Sequence, residues 1–363
     1  MTRVRHVRTF ADLEALESVW KAFESKDDSA SVFQSWDWNR TWCEMVLPRR
    51  KGARLDIRLL EDDAGHVLAI LPLYEEPLAG PLARITQFLG HRMSTRNGFL
   101  VADPRSTELA DFVVRTLRHG LGPRSILHLR HLDEAAAITQ RLIAHGLADW
   151  LCARALVAAD PAITDQQQRL SRNTRRVTRK RENKLKREFD VSYSVRSGAD
   201  FLEAFDELID LHSHRFVSTG RTSFLAGDNL QFLRRAASTL NAKGCVEIIQ
   251  LRADQKTIAA RLTVRDKNSY VFYQGGFDPD FARFAPMRLL FGQVLHRAFE
   301  DLGYALCDLG PAVQSHKLDW QPRLGASYSC CLGGPGPYAK AMAMAYHAAF
   351  KRRFPHPDRL KGK

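Results

Sequence analysis

The sequence contains no run of about 20 apolar residues, which is the length that a membrane-spanning helix needs. Its start, Met1 to His6, does not lead into an apolar core of roughly 7–15 residues followed by a small-residue cleavage site, the pattern of a secretory signal. Both absences argue against an integral membrane protein and a secreted protein. We therefore expect a cytoplasmic protein.

The closely paired cysteines and histidines of a zinc site are also missing, so we expect no bound metal. The six cysteines are scattered through apolar segments, where buried free thiols are common. If Cys330 and Cys331 lie in a strand, they point to opposite faces of it. The cysteines are Cys43, Cys152, Cys245, Cys307, Cys330 and Cys331.

Acidic residues are scarce relative to basic ones, with 41 Asp and Glu against 54 Lys and Arg, so the net charge is +13. A basic surface attracts anions, which include nucleic acid, an anionic membrane and the phosphates of a nucleotide-like cofactor. The charge alone does not choose among these partners.

Much of the excess lies in one segment, residues 169–187, which carries ten basic residues and a single acidic one, Glu182. Leu170, Val177 and Leu185 recur there at helical spacing, which predicts a helix with a thin apolar stripe and a basic remainder. No aromatic residue for base stacking occurs before Phe189. The segment fits a solvated linker, a phosphate clamp, or an RNA or membrane contact, and we expect no DNA partner.

An internal repeat indicates two domains. At an offset of 191 residues, the segment Leu55–Leu73 aligns with Val246–Val264, and each reads as strand, polar turn, strand. Each hairpin follows a helical pattern and precedes another helix and strand. The sequence therefore predicts an α/β (α+β) chain with two tandem domains, each a mixed, mostly antiparallel sheet flanked by helices. The expected limits are 1–165, a basic helical linker at 166–188, a second domain at 189–335, and a tail at 336–363.

The tail predicts a helix from Tyr338 to Phe354, apolar on one side and basic at its end, which Pro355 and Pro357 stop. Such a helix can rest on an anionic membrane or dock on the second domain.

Several segments, taken in order, resemble the FemAB-like branch of the Gcn5-related N-acetyltransferase (GNAT) superfamily, in particular the acyltransferase group represented by the cellulose-biosynthesis protein CelD. They are Phe33–Trp42, the basic run from Leu170, the motif Tyr270–Pro279 with Pro286 opening a helix, Asp308-Leu309-Gly310, and Lys317 to Trp320. The resemblance implies two GNAT-like domains, with an acyl donor in the cleft of the second. CelD-like members are thought to use acyl-CoA, with acetyl-CoA the leading choice here, whereas peptidyltransferase relatives use aminoacyl-tRNA.

The expected donor site is the turn after strand Ser269–Tyr273 together with the helix entered at Pro286, because phosphates bind at helix N-termini. The pyrophosphate loop of ordinary acetyl-CoA enzymes, Arg/Gln-x-x-Gly-x-Gly/Ala, is absent. A plain hairpin turn after a core strand fits the same residues. The candidate donor-binding residues are Tyr273, Gln274, Gly275, Gly276, Arg283 and Arg288.

The resemblance implies that Lys317 stabilises the oxyanion of a tetrahedral intermediate, a task for a fixed cation. It also places Asp308 at the usual acidic position, where it can orient Lys317, accept a proton or cap the loop. His214 and Arg215 correspond to the family segment that faces the cleft. His212 lies in register with apolar positions of its helix and fits a packed histidine, so the general base stays open.

Trp36 and Trp38 fit either an inter-domain core or a platform on which a sugar stacks, and Trp320 is expected to pack beneath Lys317. Arg175, Arg176 and Arg179 are candidate phosphate ligands. Together these features predict an acyltransferase that moves an acyl group from acyl-CoA to an amine or hydroxyl of a sugar or peptide precursor of the cell envelope or an exopolysaccharide. The alternatives are an aminoacyl-tRNA-dependent peptidyltransferase and a non-catalytic exopolysaccharide assembly factor.

Overall fold

The computed structural model describes residues 3–28, 30–78, 82–218 and 223–352, and for residues 215–218 it describes the backbone alone. By their contacts, the residues form two compact units. Unit 1 comprises Met1–Ala153 and Gly325–Lys363, and unit 2 comprises Arg154–Leu324.

The helices are α1 (Phe10–Glu14), α2 (Glu17–Lys26), α3 (Trp36–Met45), α4 (Thr107–His119), α5 (Ala137–Ala144), α6 (Arg172–Glu188), α7 (Phe201–Ser218), α8 (Asp228–Ala242), α9 (Pro286–His296), α10 (Ser315–Leu318) and α11 (Pro337–Lys351). The strands are β1 (Arg3–Val7), β2 (Arg54–Leu55), β3 (Ile57–Glu61), β4 (Val67–Leu71), β5 (Leu73–Pro77), β6 (Arg84–Phe88), β7 (Leu100–Val101), β8 (Ser125–Asp133), β9 (Ala148–Ala158), β10 (Val191–Arg196), β11 (Val246–Ala253), β12 (Lys256–Arg265), β13 (Tyr270–Phe277), β14 (Leu306–Pro311) and β15 (Arg323–Gly333).

Unit 1 contains the sheet β1-β3-β4-β7 and the strand order β15-β8-β6-β5-β2. The pair β6/β8 is parallel, whereas β1/β3, β3/β4, β4/β7, β2/β5, β5/β6 and β8/β15 are antiparallel. Helices α4 and α5 bury apolar side chains such as Val113 and Leu142 against this sheet. Cys330 lies in this core while Cys331 packs in a separate cluster with Ala343, which confirms that the two thiols point to opposite faces.

Unit 2 contains the strand order β10-β11-β12-β13-β14, and the end of β9 pairs with β14. The pair β13/β14 is parallel and the others are antiparallel. Its core includes Leu290 and Val294 of α9 together with Leu185 of α6. The predicted fold class, two domains with mixed, mostly antiparallel sheets flanked by helices, is confirmed.

The predicted repeat is present in both hairpins. Strands β3 and β4 pair antiparallel in unit 1, as β11 and β12 do in unit 2. The later elements also agree, since α4 and β8 follow the first hairpin as α9 and β14 follow the second.

The unit limits differ from the predicted domain limits at 165, 188 and 335. The predicted linker forms α6, which lies within unit 2 because it packs on α9 and the turn Pro279–Phe284. The tail lies within unit 1, where α11 packs on β8. Apolar contacts of Thr178 and Leu185 on α6, and of Ala343 on α11, account for both placements.

Helix α11 ends at Lys351, so the predicted helix end at Phe354 and the two prolines lie outside the described residues. Two of its side chains, Tyr338 and Met344, are among the exposed large hydrophobic residues of the molecule. In the part of the chain that the structure describes, no helix combines the length and apolarity needed to cross a bilayer.

One local prediction was wrong: Gly275-Gly276 is not a turn. Both residues lie within β13, where they pair with Arg261 and Ala260 of β12. A pair of glycines shortly before Asp-Pro is typical of turns, so the sequence pattern was misleading. The strand continues to Phe277, and the turn follows at Asp278.

Candidate active site

The parallel strands β13 and β14 of unit 2 separate shortly after they meet. Their pairing covers Tyr270 with Cys307 and Val271 with Asp308. On the other side of β13 the register shifts, so that Leu262 faces Gln274 and Thr263 faces Phe272. This bulge leaves Tyr273 as an extra residue and turns the second half of β13 away from β14.

Next to the second half of β13 lies a cavity of about 280 Å³. Phe291 and Trp320 form part of its wall as stacked rings, with centroids 4.9 Å apart and planes 8° apart. Basic side chains from three elements line the rest, namely Arg181 of α6, Arg261 of β12 and Arg288 of α9. His316 contributes a fourth titratable group.

The N-terminus of α9 forms another part of the cavity wall, through residues 285–288. Its cap residue, Ala285, has left-handed backbone angles (φ 55°, ψ 52°) and offers no side-chain cap. The partial positive charge of a helix N-terminus is therefore not offset by a capping oxygen. Together with this end of the helix, three guanidinium groups give the cavity a positively charged lining.

The two glycines of β13 are explained by close packing. A Cβ on Gly275 would lie 2.9 Å from the Cζ atom of Arg261, whose guanidinium lies 5.3 Å from the centre of the Phe272 ring. A Cβ on Gly276 would overlap the backbone of α7 at Leu211 and His212. Gly275 thus gives Arg261 its path to the cavity, and Gly276 lets α7 rest on the strand.

Lys317 lies on α10, directly after the loop that follows β14. Its ammonium donates hydrogen bonds to the carbonyl oxygens of Gly310 (3.5 Å), Pro311 (3.2 Å) and Ala312 (2.9 Å). The side chain is half-buried. These contacts hold a cation at the end of β14, as its predicted role requires.

Asp308 is completely buried in β14 and does not meet solvent. One carboxylate oxygen accepts the backbone N–H of Gly310 (2.8 Å), and the other forms an ion pair with Arg154 of β9. Of the three predicted roles for Asp308, this geometry favours orientation of the loop that carries the carbonyl groups around Lys317.

The histidines predicted near the cleft have different environments. His214 is exposed and lies near Asp278. Burial acts to raise the pKa of Asp278, but the hydrogen bond from Lys256 and the nearby positive charges, His214 among them, outweigh it, so the pKa is lowered. His212 is 4% exposed and contacts Gly275 and Ser223. The side chain of Arg215 lies outside the described residues.

Among the predicted donor ligands, Arg288 lines the cavity and forms an ion pair with Asp319 (2.7 Å). Arg283 does not line it, because its guanidinium pairs with Glu188 (2.7 Å) on α6. Tyr273 is buried, and this burial raises the pKa of its hydroxyl. Gln274 is half-buried on the same strand.

The predicted phosphate ligands Arg175, Arg176 and Arg179 lie on the outer face of α6, away from Thr178 and Leu185, which are buried. Arg179 pairs with Asp165 (3.1 Å). This outer face of α6 comprises Arg172, Arg175, Arg176, Arg179, Lys180, Asn183, Lys186 and Arg187.

Trp36 and Trp38 lie in the interior of unit 1, at 3% and 2% exposure. Trp38 donates its indole N–H to Ser94 Oγ (3.0 Å), and Trp36 packs edge-on against Trp20. Their burial argues against a sugar-stacking surface, and the aromatic wall of the site comes from Trp320 and Phe291 instead.

Arg181 and Arg261 were not among the predicted site residues. A signal was present for Arg181, because it falls on the same helical stripe as Val177 and Leu185. In the structure its side chain is exposed and lines the cavity. Nothing comparable marks Arg261, whose place depends on the strand register opposite Gly275. Among the side chains that the structure describes, no three His, Cys, Asp or Glu residues come together as metal ligands do.

Residues 172–318 match the acetyltransferase (GNAT) domain family. No curated protein sequence matches the chain significantly. Among solved structures, FemX is 10% identical with a TM-score of 0.58, and the alignment covers 96% of this chain and 100% of FemX. L-PGS from Bacillus licheniformis is 10% identical with a TM-score of 0.52, over 93% of this chain and 97% of that one.

At these identities the two structures are informative about the fold alone, and they agree with the predicted FemAB-like architecture. The matched segment contains strands β13 and β14, Lys317 and the residues that line the cavity except Trp320. Residues 172–318 therefore match the acetyltransferase (GNAT) domain family, and the chain as a whole has a fold similar to that of FemX.

Proposed function

We propose that unit 2 transfers an acyl group, with acetyl as the leading choice, from acyl-CoA to an amine or hydroxyl of a sugar or peptide precursor of the cell envelope or an exopolysaccharide. The observation that carries this proposal is the cavity in which Arg181, Arg261 and Arg288 converge on the uncapped N-terminus of α9. An acyl donor with a diphosphate group supplies the anion that such a cavity binds.

The stacked pair Phe291 and Trp320 gives the cavity an apolar wall beside the arginines. A donor with charged phosphates at one end and a less polar arm suits this combination. The absence of the usual pyrophosphate loop is then offset by side chains, since three guanidinium groups provide hydrogen bonds that backbone N–H groups of the loop would otherwise donate.

The proposed chemistry is direct attack of the acceptor on the acyl carbonyl carbon, followed by departure of the thiolate. Negative charge develops on the carbonyl oxygen in the transition state, and Lys317 is the fixed cation assigned to it. Three backbone carbonyl groups hold the ammonium in place before substrate binds, so little reorganisation is needed. Asp308 and Arg154 position that loop.

The test is isothermal titration of the full chain with acetyl-CoA, a long-chain acyl-CoA and free CoA. Hydrogen bonds to charged groups contribute about 1.5–3 kcal/mol, so Arg181→Gln or Arg261→Gln should each weaken binding by about 10- to 150-fold. Arg118→Gln, which changes an exposed arginine of α4 in unit 1, is the matched control and should bind like wild type. No binding of any acyl-CoA, or equal binding by all variants, would contradict the proposal.

A second candidate is aminoacyl-tRNA-dependent transfer, as in the peptidyltransferases that the chain resembles. The outer face of α6 supports it, because Arg172, Arg175, Lys180 and Arg187 have no carboxylate partner among the described residues. Contacts with RNA phosphates release counterions, so such binding weakens steeply with salt. The same titration with aminoacyl-tRNA, repeated with Arg175, Arg176 and Arg179 all changed to Gln, distinguishes the two donors.

Binding of neither donor would favour the third alternative, a non-catalytic assembly factor. In that outcome the cavity would be a remnant of a catalytic ancestor, and Lys317 would have no measurable effect on any transfer reaction.

A further inference from the structure

We infer that His212, acting through the hydroxyl of Ser223, is the general base that removes the proton from the acceptor. This inference rests on the proposed acyl transfer and identifies the group that the sequence left open. His212 lies on α7, and Ser223 lies in the segment that leads to α8.

The hydrogen bonds of His212 determine which ring nitrogen carries the proton. Nδ1 lies 3.3 Å from the carbonyl oxygen of Gly275, and a carbonyl oxygen can only accept. Nδ1 therefore carries the proton, and Nε2 of the neutral ring presents a lone pair. Nε2 lies 2.9 Å from Ser223 Oγ.

The Ser223 hydroxyl is oriented from its other side. The backbone N–H of Leu225 donates to Ser223 Oγ (2.9 Å), which leaves the hydroxyl proton to be donated to His212 Nε2. This is the arrangement in which a serine hydroxyl is polarised by an imidazole whose own tautomer is fixed by a third group.

Exposure separates the roles of the two side chains. His212 is 4% exposed, so its ring is shielded from a substrate, whereas Ser223 is half-buried. Ser223 is thus the group that an acceptor can reach, and His212 is the base that accepts the proton from it.

The pair and the predicted oxyanion group contact the same strand, β13, or its neighbour at different points. A Cβ on Gly310 would lie 3.6 Å from the carbonyl oxygen of Phe272 and 4.0 Å from Lys317 Nζ, which places Lys317 near Phe272 of β13. His212 contacts Gly275, three residues further along the strand, a distance of about 10 Å at the usual rise of a strand. Lys317 and His212 therefore flank the stretch of β13 that has left β14.

Other titratable groups lie on the elements that pack around His212. On its own helix there is His214, on β13 there is Tyr273, on β12 there is Arg261 across Gly275, and after β13 there is Asp278. Two hydrogen-bond partners of His212, the Gly275 carbonyl and the Ser223 hydroxyl, are neutral groups.

Ser223 and His212 carry the acceptor proton through the reaction. As the acceptor N–H or O–H attacks the thioester carbon, its proton passes to Ser223 Oγ while the serine proton passes to His212 Nε2. The tetrahedral intermediate then expels the thiolate, which takes the proton back from the imidazolium by the same route. The products are the acylated acceptor and free CoA thiol, and both side chains return to their starting state.

The first test follows release of CoA thiol from acetyl-CoA with glucosamine as the amine probe, across pH 5 to 9. Loss of a general base lowers kcat by roughly 10²–10⁴-fold, and we expect this of His212→Gln with little change in KM. Ser223→Ala should fall similarly and Ser223→Thr should recover. Wild-type activity should rise through one ionisation in the range of histidine, and His212→Gln should lose that rise.

His296→Gln, an exposed histidine at the end of α9, is the control and should keep both rate and pH profile. Acetyl-CoA titration distinguishes a failure of the role inferred for His212 from a failure of the proposed acyl transfer. If His212→Gln binds acetyl-CoA and keeps the wild-type rate and profile, the inference is wrong and the proposed function stands; if wild type binds no acyl-CoA, the proposed function fails.

A second test needs no acceptor. Nitrogen-15 NMR of the histidine rings at neutral pH should show His212 protonated at Nδ1, with Nε2 a hydrogen-bonded acceptor that shifts in Ser223→Ala. A ring protonated at Nε2 would overturn the inference.

Discussion

The two units share a hairpin, a parallel strand pair and a following helix, yet the two helices begin differently, and in unit 2 the helix begins at the arginine-lined cavity. In unit 1, Ser106 caps α4 by accepting the N–H of Leu109 (3.1 Å). In unit 2, Ala285 stands at the start of α9 and offers no side-chain cap. A single small residue at a helix start can therefore decide whether the positive end of a helix is satisfied internally or by a ligand.

The parallel pairs differ in the same sense. In unit 1, β6 and β8 pair over three residues and the neighbouring polar side chains Thr86 and His128 are buried. In unit 2, β13 and β14 pair over two residues and then part beside the cavity. The region around the strand pair of unit 1 is packed core, whereas the strand pair of unit 2 separates beside the cavity.

The largest expected effect comes from two buried ion pairs, Arg58 with Asp56 in unit 1 and Arg154 with Asp308 in unit 2. Removing Arg154 takes the ion pair away from the buried Asp308 carboxylate, so Arg154→Met should lower the free energy of unfolding by about 3–5 kcal/mol. Arg58→Met should cost less, because His6 Nδ1 also lies 2.8 Å from Asp56 Oδ1. The measurement is urea unfolding at pH 7.

These two substitutions differ in their effect on the site. Arg154→Met should also displace the loop that holds Lys317, and the added substitution Asp308→Asn should restore part of the stability because an amide oxygen still accepts from Gly310. A double variant no more stable than Arg154→Met would contradict this account.

Next in size is the loss of the predicted oxyanion group. Removal of one such donor costs about 2.7–4 kcal/mol of transition-state stabilisation, so Lys317→Met should lower kcat by about 10²–10³-fold. Lys51→Met, an exposed lysine of unit 1, serves as the control. Steady-state kinetics with acetyl-CoA makes the comparison, and equal rates for the two variants would remove Lys317 from the mechanism.

A pH effect is expected from unit 1. Burial, helped by nearby Arg130, lowers the pKa of His128 to about 3, and neither ring nitrogen has a hydrogen-bond partner within the described part of the chain. The unfolded state binds a proton below about pH 6.5 and the folded state does not, so stability is lost as the pH falls. At pH 5 the loss should be about 2 kcal/mol, at about 1.4 kcal/mol per pH unit.

His128→Phe keeps a ring beside Tyr346 and Phe350 and should remove this part of the pH dependence. His66→Asn changes an exposed histidine of the same unit and should leave the slope unchanged. Unfolding curves between pH 7 and pH 5 give the answer, and a steep slope retained in His128→Phe would assign the acid sensitivity elsewhere.

The smallest effect tests the capping difference itself. Ser106→Ala should cost about 1 kcal/mol, because the first turn of α4 loses its acceptor. Ala285→Gly should be neutral or slightly stabilising, since glycine tolerates the positive φ at the start of α9. Thermal unfolding measures both, and a similar loss in the two variants would mean that the helix starts are alike after all.

The duplicated architecture could be predicted from the sequence because strand alternation and helical spacing are local patterns, and the hairpins aligned at a fixed offset. Lys317, Arg288 and Trp320 could also be placed near one site, since all three follow β13 in an order that resembles a family. Long-range register could not be predicted in this way. It places Arg261 opposite Gly275, Arg154 beside Asp308, and Ser223 against His212.

The exposure of the tryptophans also could not be predicted from the sequence. Trp36 and Trp38 fitted either an inter-domain core or a sugar-stacking platform, and spacing alone could not decide between them because it does not give the exposure of an indole. The bulge at Tyr273, which turns β13 from β14, likewise depends on pairing with a distant strand.

Trp320 has a consequence for observing the molecule. Of the six tryptophans, five belong to unit 1, namely Trp20, Trp36, Trp38, Trp42 and Trp150, and only Trp320 belongs to unit 2. It is also the indole that borders the cavity, stacked on Phe291. With the other five changed to phenylalanine where the fold permits, the intrinsic fluorescence of the chain would report occupancy of one site, without a label and on the timescale of ligand arrival.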